Sequence, residues 1–125
     1  MISFFVSFYR LIKIIVLGIK NDKDFKFLCF FILILLVGAT VFYTTMEGWS
    51  VVDSIYFAVM TMSTVGYGDI VPTTDISKIF TIIYTFLSIG SFVAFTAKTV
   101  GIVVEDHHQK QEQKRLRKEK KEQEK

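Results

Sequence analysis

Cysteine and proline are almost absent from this 125-residue chain, which contains one of each, Cys29 and Pro72. A single cysteine excludes an intrachain disulfide and a cysteine-based metal site. One proline and seven glycines argue against a loop-rich fold. No paired acid and base, metal cluster or activated nucleophile stands out, so the sequence predicts that the protein is not an enzyme. No arginine repeat is present either, which argues against a voltage sensor.

Apolar residues, in contrast, are abundant: 51% of the chain is hydrophobic, and 13 residues are phenylalanine. A small soluble domain has no core large enough to bury so much apolar surface. Two uncharged stretches, Phe27 to Met46 and Ile79 to Ala97, are long enough to cross a bilayer, because a helix of about 20 residues spans about 30 Å. We therefore predict an all-α membrane protein with two transmembrane helices.

The segments that flank these spans are charged. Residues 1–20 are apolar but carry Arg10 and Lys13, which predicts an amphipathic helix in the membrane interface. A signal peptide is the alternative, but its apolar core does not carry two cations, and no small-residue cleavage site follows. Residues 105–125 are almost wholly polar and predict a charged tail, a helix extension that frays into disorder. Within it, His107 and His108 form either a proton or metal sensor or, as we favour, ordinary solvated tail.

The segment between the two spans is too short to cross and too apolar for a surface loop. Residues 54–68 carry no charge and are rich in Ser, Thr and Gly. A Gly-rich end leaves backbone carbonyls unsatisfied in lipid, so we predict a re-entrant segment, half helix and half extended. Ser50 with Asp53 forms a capping box that begins the half-helix. The predicted pore domain, residues 25–104, contains an outer helix 25–46, a pore helix 50–62, a filter 64–68 and an inner helix 76–104.

The filter segment reads Thr64-Val65-Gly66-Tyr67-Gly68. A row of carbonyls aimed at one axis can replace the hydration shell of a potassium ion, but it requires backbone dihedrals that alternate in hand. Gly66 and Gly68 lie at alternate positions and reach positive φ at little steric cost. The Thr64 hydroxyl adds an oxygen at the inner end, and Asp69 places a carboxylate at the outer mouth. One strand supplies one oxygen per level, so several copies around an axis are expected.

This segment resembles the selectivity filter of potassium channels. With two spans, a re-entrant loop and an interfacial helix, the chain is similar to pore-only two-transmembrane channels of bacteria. Short segments such as Lys78-Ile79-Phe80-Thr81 are most similar to the sodium–potassium channels, a branch of this family. The resemblance implies a homotetramer in a lipid bilayer with potassium as the permeant ion, no cofactor and no nucleic-acid partner. The implied ion-binding residues are Thr64, Val65, Gly66, Tyr67 and Gly68.

Two positions depart from the related filters, of which one bears on selectivity and the other on gating. The sodium–potassium branch has an acidic residue where this chain has Tyr67, and it conducts both ions. Tyr67 therefore favours potassium selectivity, with a weakly selective monovalent cation channel as the alternative. A non-conducting membrane anchor is a further alternative, but it gives no reason for the filter spacing. Some family members pair the mouth aspartate with a carboxylate at the position of Met60, and here we expect Tyr56 to neighbour Asp69 instead.

The resemblance also indicates where the inner helix bends and closes. Family members bend near a glycine at the position of Ser88, and Gly90 lies two residues further on. Tight helix packing is the alternative reason for Gly90. Candidates for the inner cavity and gate are Phe92, Val93, Thr96 and Val100.

Charge predicts the orientation of the chain in the membrane. Both termini are rich in Lys and Arg, whereas the loop between the spans contains four acidic residues and only Lys78 as a cation. The positive-inside rule therefore places both termini in the cytoplasm and the filter mouth outside. We expect a multi-pass protein of the cell membrane.

Overall fold

The computed structural model describes all 125 residues and contains four helices and no strand. The helices are α1 (Ile2–Asn21), α2 (Lys23–Met46), α3 (Val51–Met62) and α4 (Asp75–Gln123). This architecture confirms the predicted all-α class. Three helices, α1, α2 and α4, are long and apolar enough to cross a membrane, whereas α3 has only 12 residues. By length and composition, α1 is thus a third candidate span beside the two predicted ones.

The helices begin where short polar side chains cap them. Asp22, the single residue between α1 and α2, accepts a hydrogen bond from the Asp24 amide at 3.0 Å. Ser50 caps α3 by accepting from the Asp53 amide at 3.0 Å, as the capping signal predicts. Thr74 caps α4 through Ser77. Each cap satisfies a backbone N–H that has no partner inside the helix, so the sequence determines these three starts locally.

The antiparallel pair of α2 and α4 forms the frame of the molecule, and α3 packs against both. Phe42 stacks on Phe80 with ring centroids 3.8 Å apart, and the Tyr43 hydroxyl lies 2.6 Å from that of Thr81. The Tyr43 side chain is fully buried in this core. Its phenol contributes apolar area and one hydrogen bond to the helix pair.

The inner end of α4 packs against the corner between α1 and α2. Phe25 is fully buried and stacks on Phe95 at 5.4 Å. Gly18 is buried as well, and a Cβ placed there would lie 2.9 Å from the Ile102 side chain. Lys98 lies 3.7 Å from the Asp22 carboxylate at this corner. One face of α4 is therefore fastened to the junction of the first two helices.

Helix α4 continues through the charged tail to Gln123, where the sequence predicts fraying into disorder. The tail is rich in Lys, Glu, Gln and Arg, which are strong helix formers, and pairs four residues apart add support. The Lys110 ammonium donates to the Asp106 carboxylate at 2.7 Å, and this bond lowers the pKa of Asp106. Arg115 and Glu119 form a second pair at 3.4 Å. Local charge pairing thus extends the helix without a tertiary partner.

Candidate ion-conduction site

The backbone of the filter segment alternates in hand. Gly66 and Gly68 have φ values of 48° and 75°, and Thr64 has φ 64°, so every second residue from 64 to 68 is left-handed. Alternation of this kind is the backbone geometry that lets successive carbonyls point to one side of a segment, as a carbonyl cage requires. In the sequence, the two alternate glycines predicted this backbone conformation. The sequence did not predict the positive φ of Thr64, because a β-branched residue in this conformation is an outlier that costs about 1–2 kcal/mol.

The last turn of the pore helix α3 holds the start of the filter through backbone hydrogen bonds. The Thr64 amide donates to the Thr61 carbonyl at 3.1 Å, and the Gly66 amide donates to the Met60 carbonyl at 3.1 Å. These bonds use carbonyls that the helix end leaves without an intrahelical partner. Met60, which offers no carboxylate, thus contributes a backbone oxygen to the filter. Bonds of this kind stabilise the left-handed conformation that Thr64 would otherwise avoid.

An aromatic cluster packs on the side of α3 that faces α2. Tyr43 stacks on Trp49 at 5.2 Å and meets the edge of Phe57 at 5.0 Å. On the α4 side, the Tyr84 hydroxyl donates to the Ala58 carbonyl at 3.1 Å. Phe57 also meets Trp49 at 5.3 Å, so it lies within this cluster. Tyr84, which the sequence analysis did not single out, is buried with an exposed fraction of 2%.

The outer mouth forms a pocket of about 250 Å³ between α3 and the segment after the filter. Tyr56, Tyr67 and Asp69 line it together with Pro72. The Tyr56 hydroxyl faces the Asp69 carboxylate. The structure therefore brings together the two residues that the sequence analysis placed next to each other at the mouth.

A carboxylate that the sequence analysis did not assign fastens the loop after the filter. Glu47, at the end of α2, accepts hydrogen bonds from the Thr73 amide at 3.0 Å, the Thr73 hydroxyl at 2.8 Å and the Thr74 amide at 3.2 Å. Burial acts to raise the pKa of Glu47, but these bonds outweigh it and hold the pKa at about 2. The contact joins residues 26 positions apart, so no local pattern indicates it.

The hinge and gate candidates separate onto two faces of α4. Ser88 is fully buried against the chain itself, and Phe92 packs on the core. Gly90, Val93 and Thr96 are exposed and face away from the other helices of the chain. A Cβ at Gly90 would meet no atom within 4 Å, so packing inside the chain does not explain this glycine.

The paired histidines lie on the exposed surface of the tail helix. Both His107 and His108 are exposed, and the chain contains no group of three His, Cys, Asp or Glu side chains placed to hold a metal. The contacts within one chain therefore give this pair no special partner.

The region that contains these features matches a known family. The sequence profile described as "Ion channel" matches residues 30–105, which is more than half of the chain. The chain belongs to this ion channel family. The matched region includes α3, the filter and the membrane part of α4, so the protein is a membrane protein of a class that transports ions.

Potassium channels are among its curated relatives. Two pore potassium channel a of Oryza sativa subsp. japonica is 39% identical over 77 residues, which covers 57% of this chain and 22% of that protein. Potassium channel protein 1 of Methanocaldococcus jannaschii is 38% identical over 79 residues, which covers 63% of this chain and 24% of that protein. The chain therefore spans about a quarter of the length of these relatives.

A solved structure has a similar fold. The calcium-activated cation channel from Tsukamurella paurometabola superposes with a TM-score of 0.61 at 35% identity, and the match covers 69% of this chain and 84% of that one. Together with the archaeal relative, this similarity confirms the resemblance to prokaryotic pore-only channels.

Proposed function

We propose that this chain forms a potassium-selective pore that conducts K⁺ passively across the cell membrane. The observation that carries the proposal is the alternation of φ at Thr64, Gly66 and Gly68 with Tyr67 between the two glycines. Carbonyls of residues 64–67 and the Thr64 hydroxyl would replace the hydration shell of K⁺ at successive sites. The similarity to potassium channels over this region supports the choice of ion.

The assembly follows from the oxygen count. One strand supplies one carbonyl per level, and a carbonyl cage for K⁺ uses four such strands. The chain has one copy of the filter, so we propose a homotetramer around a fourfold axis. The exposed fractions of Val65 and Tyr67, 50% and 72%, leave this segment free to pack against neighbouring copies. The C-terminal end of α3, with its partial negative charge, would then favour a cation at the axis.

We propose that both termini are cytoplasmic and that α1 lies in the interface rather than across the bilayer. Gly18 packs on Ile102, which lies five residues beyond the end of the uncharged stretch of α4. Arg10 lies near Asp106, further along the tail. These contacts join α1 to residues of α4 that lie beyond its uncharged, membrane-spanning stretch. Helix α1 would therefore lie at the inner surface of the membrane. A crossing would also bury Arg10 and Lys13, at about 2.5–3.5 kcal/mol each near the bilayer centre.

A weakly selective monovalent cation channel is the second candidate. The observation that favours it is the structural similarity to a calcium-activated cation channel. Both candidates use the same scaffold, so they differ only in how strongly the filter discriminates between K⁺ and Na⁺.

Ion flux in liposomes tests the proposal. The purified chain is reconstituted, and the reversal potential is measured with K⁺ on one side and Na⁺ on the other. We expect the potential to follow the K⁺ gradient. Tyr67→Asp introduces the acidic residue of the related branch and should move the potential toward zero. Equal permeation of both ions by the native chain would favour the weakly selective channel, and a folded assembly without flux would indicate a non-conducting anchor.

A further inference from the structure

The tail part of α4 carries two straight rows of opposite charge. Residues seven apart lie on the same side of a helix, because seven residues make almost two turns. The acidic row contains Glu105, Glu112 and Glu119, and the basic row contains Lys114 and Lys121. Since Lys114 follows Glu112 by two residues, the rows lie about 160° apart around the helix.

The face between these rows continues the exposed face of the membrane part of α4. Val93, Val100 and Val104 are exposed. Phe95 and Ile102, on the opposite side, pack on the α1–α2 corner. The exposed side extends down the tail midway between the acidic and the basic row. In a ring of copies that turn this side to a common axis, the two rows therefore flank it and meet the two neighbours.

Lys114 has no carboxylate beside it in its own helix. The residues three and four positions away are Lys110, Gln111, Arg117 and Lys118. Like charges at these spacings destabilise an isolated helix. The two ion pairs within the tail do not include Lys114. Its side chain is exposed, so a carboxylate from another chain can approach it.

Cyclic symmetry supplies that carboxylate. In a ring, one flank of each copy meets the opposite flank of the next, so every interface pairs the basic row with the acidic row. The bilayer surface is a poorer partner, because Lys114 lies about 24 Å along the helix beyond Lys98, the first charge after the uncharged span. Attraction to a charged surface fades within about 8 Å in physiological salt.

We infer that the two rows form a self-recognition surface through which the tails of neighbouring copies align in parallel. The inference rests on the proposed cyclic assembly. Lys114 of one copy faces the acidic row of the next and gains the carboxylate that its own helix lacks. The face toward the axis contains Gln111, Arg115 and Lys118, so the tails meet at their charged flanks and not on an apolar core. In coiled coils, charges that flank the contact face set partner choice and orientation.

The test measures distances between tails in the full-length chain. A spin label at Gln113→Cys, in a Cys29→Ser background, lies on the outward side of the tail, and pulsed electron spin resonance reports how closely the labels are held. We expect a narrow distance distribution for the native rows. Lys114→Glu should increase the separated fraction by about 1.5- to 5-fold, the range for an exposed ion pair. The matched control Lys120→Glu makes the same change on the outward side and should leave the distribution unchanged.

Exchange of the two rows gives the sharpest comparison. Lys114→Glu with Lys121→Glu makes both rows acidic, and Glu112→Lys with Glu119→Lys makes both rows basic. Each of these variants should separate the tails. The chain with all four substitutions keeps its net charge and should hold the tails together again. This recovery should be large but incomplete, because Glu119→Lys also breaks the pair with Arg115.

Separated tails in the chain with all four substitutions, or equal effects of Lys114→Glu and Lys120→Glu, would overturn the inference. Separation by Lys114→Glu in vesicles with anionic lipid but not in neutral vesicles would identify the membrane as the partner and would overturn it as well. Where circular dichroism shows that Lys114→Glu loses helix, Lys114→Gln replaces it and should give a smaller increase in the same direction. Loss of K⁺ selectivity in a chain whose tails stay aligned would contradict the proposed function alone.

Discussion

The two ends of α4 are held by different physical means. At the outer end, buried hydroxyls of Tyr43 and Tyr84 and the carboxylate of Glu47 bond to specific partners beside the filter. At the inner end, α4 meets the α1–α2 corner through the stack of the buried Phe25 on Phe95, close contact at Gly18 and exposed or partly exposed ion pairs at Lys98. Hydrogen bonds in a buried setting need their partners, whereas exposed ion pairs are weak and screened by salt.

This difference predicts that the two ends respond differently to substitution. The outer end holds the strained Thr64, and we expect any loosening there to alter the proposed ion-binding geometry. At the inner end, the packing of Phe25 on Phe95 is apolar, and lipid could cover apolar area that separation from the corner would expose. We therefore expect the filter end to depend on specific hydrogen bonds and the inner end to depend on apolar packing.

The strongest way to break the rigid end is Gly66→Ala. Gly66 has φ 48°, where an L side chain costs about 1–2 kcal/mol in each copy. We expect K⁺ flux in liposomes to be lost while the helix content stays native. The matched control is Gly38→Ala, because Gly38 lies in α2 with nothing within 4 Å of its added Cβ. There, alanine should leave flux intact, and loss of flux in both variants would contradict the special role of Gly66.

These two ends also show what the sequence could and could not predict. The caps at Ser50 and Thr74 and the alternate glycines act locally, so spacing alone indicated the pore helix and the filter. The bond from Glu47 to Thr73 and the bond from Tyr84 to Ala58 join residues 26 positions apart. Such contacts depend on how helices pack, and no periodic pattern in one chain encodes them.

The inner end should respond most to Gly18→Leu. A Cβ at Gly18 already lies 2.9 Å from the end of the Ile102 side chain, which can rotate away from alanine but not from leucine. We expect overpacking to weaken the docking of α1 by about 1–3 kcal/mol and to increase its exposure to protease. The K⁺/Na⁺ permeability ratio should stay at the native value, and Gly18→Ala should show a smaller effect. A changed permeability ratio would mean that the two ends are not independent.

A smaller effect is expected from Glu47→Gln at the outer mouth. The Glu47 pKa of about 2 lies below its ordinary value of 4.5, so the ionised carboxylate contributes stability above pH 4.5 that is lost as pH falls through 2. Acidifying the outer side from pH 7 to about 5 should therefore leave native single-channel conductance unchanged. Glu47→Gln replaces a charged acceptor by a neutral one and should lower the thermal midpoint and shorten filter open times at every pH. A change in the conductance of the native channel near pH 5 that Glu47→Gln abolishes would contradict the low pKa of Glu47 and its hydrogen bonds to Thr73 and Thr74.

The smallest effect should come from Lys98→Gln at the inner end. The Lys98 ammonium lies 3.7 Å and 3.8 Å from Asp22 and Asp24, with 36% of its side chain exposed. Pairs of this kind contribute about 0–1 kcal/mol and are screened by salt. Hydrogen exchange at the start of α2 should therefore increase slightly, and less at high salt. Asp24→Asn should have the same effect as Lys98→Gln. Asp22→Asn tests in addition whether an asparagine side chain still caps α2, since the Asp22 carboxylate also accepts a hydrogen bond from the Asp24 backbone amide. An effect of Lys98→Gln as large as that of Gly18→Leu would show that charge rather than close packing holds the inner end.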